Sequence, residues 1–72
     1  MEVRVKIGED EICAMSCHFI DFVGTSIDVC VDSSCDIPEI VKQYALKVHY
    51  AKDCFESTYI RFAIERISCI VG

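Results

Sequence analysis

The chain has 72 residues, over half of them apolar, and twelve acidic against seven basic side chains give a formal charge of −5. That balance provides no basic patch to displace phosphate counterions, which argues against nucleic acid as a partner. No apolar run reaches the roughly 18 residues that a membrane-spanning helix needs, and the opening Met1-Glu2-Val3-Arg4 leads into no continuous apolar segment of the secretory type. A cytoplasmic location without membrane contact is expected.

A single domain over 1–72 is expected. A core this small is marginal without a staple, which can be disulfides, a metal or a partner chain. There are six cysteines, three glycines and one proline. Secreted disulfide frameworks are usually richer in glycine and proline. In a reducing compartment the same cysteine density points to metal ligation, redox chemistry or buried thiols. Two or three of the six are expected to be small core hydrophobes.

Glu2 to Ile7 alternates, with Val3, Val5 and Ile7 on one side and Glu2, Arg4 and Lys6 on the other, so a strand with one wet face is predicted. Gly8 to Glu11 reads as a turn. Ile12 to Val23 fits either period. As a helix it brings Cys13 and Cys17 together at i and i+4. As a strand it sets Cys13, Met15, Cys17, Phe19 and Asp21 against His18, Ile20 and Phe22, and the strand is favoured for its second half. Gly24-Thr25 suits a type II′ turn. That turn fixes a register: Val23 with Ser26, Phe22 with Ile27, Ile20 with Val29 and His18 with Val31. Phe19 then faces Cys30, Cys17 faces Asp32, and Asp21 faces Asp28, which is unfavourable unless solvent or a cation intervenes.

Ser26 to Asp32 completes the hairpin, and Ser33-Ser34 ends it. Asp36 with Glu39 has the capping-box spacing for a helix running to about Tyr50. Ile37, Ile40, Val41, Tyr44, Ala45 and Val48 form its apolar stripe, and Pro38 sits in its first turn. Leu46 lies on the opposite face, a candidate contact point, and His49 reads as a solvated helix-end residue. Asp53 to Ile70 is read as a second helix, with Asp53 and Glu56 as its capping box. Its stripe is Phe55, Tyr59, Phe62, Ala63 and Ile70. Ile60, Phe62 and Ile64 also alternate, which is the competing strand signal. As a helix it is apolar nearly all round, so Ile60, Ile64 and Ile67 are expected to meet another chain, as a homodimer or with another protein.

The candidate chemistry lies in the thiols. With Cys17 opposite Asp32, Cys13 falls near Asp36 and beside Cys35, and three thiols would gather at a helix N-terminus. Thiolates there suit zinc or an iron–sulfur cluster. The Cys-x3-Cys-His spacing matches neither a zinc-finger nor a ferredoxin pattern. Cys35-Asp36-Ile37-Pro38 at a helix start also suits a nucleophile or sulfur carrier, with Asp36 working against thiolate formation. Cys30 is expected to be packed, and Cys69 to lie one helix length past Cys54.

Three fragments carry a resemblance: Glu11-Ile12-Cys13, Ser33-Ser34-Cys35, and Cys54 followed by Ile60-Arg61-Phe62-Ala63-Ile64-Glu65. Together they resemble a group of small uncharacterised prokaryotic proteins. In that group a G-I-C motif near the first strand is followed by S-D-C at a helix start, and C-P-V-P then leads into a helix. The resemblance singles out Cys13, Cys35 and Cys54 and implies a helix after Cys54. It brings no activity. Here Asp10-Glu11 replaces the glycine context, and Phe55-Glu56-Ser57 replaces the prolines.

The expected fold is α+β: a three-stranded antiparallel meander followed by two helices packed on one face. The expected function is a cysteine-rich module binding zinc or an iron–sulfur cluster on Cys13, Cys17 and Cys35, with Cys54 as fourth-ligand candidate. The alternatives are a thiol-redox or sulfur-carrier protein using Cys35, and a non-catalytic oligomeric interaction module.

Overall fold

Strand β1 (Glu2–Ile7) buries Val3, Val5 and Ile7 and exposes the residues between them, as its alternation requires. It lies between β2 (Glu11–Ser16) and β7 (Ile67–Ile70), antiparallel to both, in a three-stranded sheet A. A computed structural model describes residues 1–7, 11–52 and 56–70, apart from the side chains of Glu11, Cys69 and Ile70. Of the expected turn over 8–11, residues 8–10 fall outside the described residues, and Glu11 opens β2 instead.

Sheet B has four strands in the order β3 (Phe19–Val23), β4 (Ser26–Asp32), β6 (Glu56–Ala63), β5 (Lys47–Lys52), all neighbours antiparallel. The hairpin register is the one that the Gly24-Thr25 turn demands, from Val23↔Ser26 through Phe22↔Ile27 and Ile20↔Val29 to Phe19↔Cys30. Gly24 has φ +62°, and among the described residues no side-chain-bearing residue has positive φ. Positive φ at the first central position alone is the type II′ pattern, and it matches the twist of the flanking strands.

The meander expectation fails at Cys17 and His18, where the chain changes sheets. The Cys17 N–H donates to the Met1 carbonyl at 2.9 Å, on the sheet A side. The next N–H, that of His18, donates to the Cys30 carbonyl at 2.7 Å, on the sheet B side. The expected pairs His18–Val31 and Cys17–Asp32 therefore lie beyond the ladder, which stops at Phe19↔Cys30.

Both expected helices are corrected. Of the first, Glu39–Tyr44 alone is α-helical (α1); Asp36 does not cap it, since the N-cap position is Pro38 with no side-chain cap. Ala45 is extended (ψ 144°), and the Leu46 N–H donates to the Arg61 carbonyl at 2.7 Å, so the chain enters a ladder where the apolar stripe continued to Val48. Six residues of helix are marginal alone, and the long pairing of β5 with β6 outcompetes further turns. The second helix is absent from the described residues. In its place are β6, a single 3₁₀ turn at Ile64–Arg66, and β7. The helix that the family resemblance implies after Cys54 is overturned with it. The β-rich run Thr58-Tyr59-Ile60 and the alternation of Ile60 with Phe62 prevail because β4 and β5 both pair with β6. The capping box at Asp53 falls outside the described residues.

The fold is thus mostly β: the described residues form seven strands in two antiparallel sheets, with one short helix. Sheet A contributes Val3, Val5, Ile7, Met15 and Cys17 to the core; sheet B contributes Ile27, Val29, Val31, Ile60 and Phe62, and α1 adds Val41. Among the described residues, no helix is long and apolar enough to cross a membrane.

Candidate functional site

Asp32 builds the turn that presents Cys35. Its carboxylate accepts from the Ser34 N–H at 2.9 Å and from the Ser34 hydroxyl at 2.7 Å, and the Cys35 N–H donates to the Asp32 carbonyl at 3.0 Å. This is an Asx-type turn. The Ser34 hydrogen bonds hold the Asp32 carboxyl below its ordinary value. Cys35 is exposed and borders two clefts of about 390 and 340 Å³. Lys42, Val48 and Tyr50 line one; Ala14, Met15 and Ser16 line the other. The loop thus borders β2, close to where the sequence put Cys13.

The other thiols do not share that address. Cys13 and Cys17 lie on one side of the extended chain, as the strand reading required, but that side is the core: Cys17 belongs to it and Cys13 packs against it, half-buried. Cys30 is fully buried, paired across the ladders with Phe19 and Tyr59. Cys69 stands opposite Val3 in the β1–β7 ladder, and Cys54 lies outside the described residues. Among the described residues, no three His, Cys, Asp or Glu side chains gather in a way that could hold a metal ion. A six-residue helix also supplies little dipole at Cys35.

A polar cluster that sequence reasoning missed lies on the outer face of sheet B. Asp28 is 5 % exposed, and Arg61 clamps it from the opposite ladder position, Nε to Oδ1 at 2.7 Å and Nη2 to Oδ2 at 2.9 Å. This two-pronged geometry is among the stronger side-chain contacts. Arg61 neutralises Asp28 of the expected Asp21–Asp28 pair and leaves Asp21 without a cation among the described residues. Arg61 holds the Asp28 carboxyl below the ordinary range against the opposing effect of burial, and its own pKa is raised in return. His49 is half-buried on β5, not solvated at a helix end. Its Nε2 lies 3.7 Å from Asp28 Oδ2, and that buried atom has no hydrogen-bond partner among the described residues. Its ring tilts against Tyr59 at 5.3 Å, and Tyr59 meets Phe19 edge-on at 5.9 Å. The cluster ties β4, β5 and β6 together. The signal for it was the i, i+2 spacing of Tyr59 and Arg61, once that segment is read as a strand.

The expected contact face does not exist as drawn. Ile60 is fully buried in the core, Ile67 is half-buried against it, and only Ile64 is exposed. Exposed apolar side chains also include Ile12 on sheet A, and they recur at both borders of sheet B. Phe22 on β3 is 70 % exposed; Leu46, just before β5, is 61 % and Tyr50 is 54 %. By the pleat these positions share the core-facing side with Ile27, Ile60 and Phe62. A three-stranded sheet cannot cover a four-stranded one, and the borders are left over. Comparison with known proteins adds no relative: no family model, curated protein or solved structure matches this chain.

Proposed function

We propose that the chain is a non-catalytic protein-interaction module that binds through the borders of sheet B. The carrying observation is the mismatch of the two sheets, which leaves Phe22, Leu46 and Tyr50 uncovered on a side whose middle is buried. Apolar patches of this kind mark interaction surfaces, and β3 and β5, which are edge strands among the described residues, offer backbone groups to an added strand. Leu46, flagged in the sequence as a contact point, belongs to this surface. The test is a photo-crosslinking amino acid placed singly at Phe22, Tyr50 and Lys6 in cells that make the protein. Lys6 is exposed on sheet A and serves as control. Protein adducts from positions 22 and 50 but not 6 support the reading. Equal yields at all three positions, or none at any, reject it.

Thiol chemistry at Cys35 is the second reading, favoured by its exposure between two clefts within the size range of small-ligand sites. The rate of Cys35 alkylation against pH tests it. A profile rising only around the ordinary thiol pKa of about 8.5 removes this reading.

A further inference from the structure

We infer that the occupant of the β5 edge is the β3 edge of a second copy of this chain, joined head to tail. The inference rests on the interaction reading above and names its partner.

The four strands of sheet B alternate in direction, so β3 and β5 run opposite ways. A translated copy therefore brings its β3 antiparallel to β5 without turning the sheet over. The pleat then stays in phase. In the register that uses all five residues of β3, the second copy's Phe22 lies beside Val48, both of them exposed, and its half-buried Ile20 lies beside the exposed Tyr50 on the core-facing side. On the outer side the second copy's Asp21 lies beside His49, with Lys47 on the diagonal.

Charge selects this pairing over the symmetric ones. Two β3 edges related by a two-fold axis set Asp21 against Asp21. Two β5 edges gather four lysines, Lys47 and Lys52 from each copy, along one junction. Only unlike edges bring acid to base. Asp21 is exposed, and among the described residues it has no cation within ion-pair distance, since Arg61 is committed to Asp28. Natural edges are guarded by charges of this kind against self-pairing, and here the two guards have opposite signs. A head-to-tail contact does not close at two copies, so it grows into a ring or a short ladder.

The test is sedimentation velocity on the purified chain over a concentration series reaching ~1 mM, in the weak-association range. The series includes Asp21→Lys, Lys47→Glu and the double variant. Each residue is exposed, and circular dichroism checks that each variant folds. Species beyond a dimer are expected. Each single reversal should weaken association about tenfold, and the double variant should restore it. A monomer throughout overturns the inference, as does a double variant no better than either single one. A closed dimer that Asp21→Asn strengthens also overturns it, in favour of symmetric pairing. Crosslinks from positions 22 and 50 to a different protein, with the purified chain monomeric, reject this inference and leave the interaction reading standing. Absence of those crosslinks rejects both.

Discussion

Phe22, Ile27 and Phe62 form one row across three neighbouring strands of sheet B. Their exposures are 70 %, 3 % and 0 %. The row one step along repeats the pattern: Val29 and Ile60 are sealed, while Val48 at the border is 41 % exposed. Residue type, strand period and side of the sheet are the same throughout. The difference is what lies above each residue. Alternation in sequence says which side a residue takes; it does not say how far the opposing layer reaches. Two phenylalanines of equal sequence character can thus serve different ends, one holding the fold together and the other available for binding.

Substitutions can break or sharpen that contrast. The largest effect is expected at its buried end. Phe62→Ala should cost about 3–5 kcal/mol, close to the whole stability of about 4–10 kcal/mol that a chain this size holds, so urea denaturation should find it largely unfolded. Asp28→Asn comes next. It replaces one of the two acceptor oxygens with an amide donor and leaves the Arg61 charge without its partner, at about 2 kcal/mol by the same measurement. The same pair sets an acid limit. The Asp28 carboxyl is held below its ordinary value of 3.8. Its contribution is therefore complete above about pH 4 and is lost as pH falls through the folded-state value. Urea midpoints should drop below pH 4 in the parent and be flatter there in Asp28→Asn. Gly24→Ala is expected to cost about 1 kcal/mol. A Cβ there meets nothing within 4 Å, so the cost comes from the positive φ alone. The smallest effect is expected at the exposed end. Phe22→Ala should move the stability of the isolated chain by no more than about 0.5 kcal/mol. A loss at Phe22 close to that at Phe62 would erase the contrast between centre and border.

The legible parts of the sequence were those decided locally. The alternation of β1 and the register of the β3–β4 hairpin follow from the period and from one glycine. The packed Cys30 and the strand-wise sharing of a face by Cys13 and Cys17 follow in the same way. The helical readings of 45–50 and 56–70 failed because Val48, Ile60 and Phe62 satisfy both periods. The choice falls to partners distant in sequence: Ile27 pairs with Phe62 and Asp28 with Arg61. No window of the chain contains both members of such a pair. Cys13 and Cys17 face the core while Cys35 is exposed, for a related reason. The strand reading put Cys13 and Cys17 on one face correctly, but which face would become the core depended on sheet B closing over it.

Strand β1 occupies the middle of sheet A, yet one of its two neighbours is β7. Strand β1 must therefore wait until residues 67–70 have been made before its second side is satisfied. Contacts between such remote segments place folding in the slow range of roughly milliseconds to seconds. During synthesis the β1–β2 pair keeps one edge of β1 bare until those residues arrive.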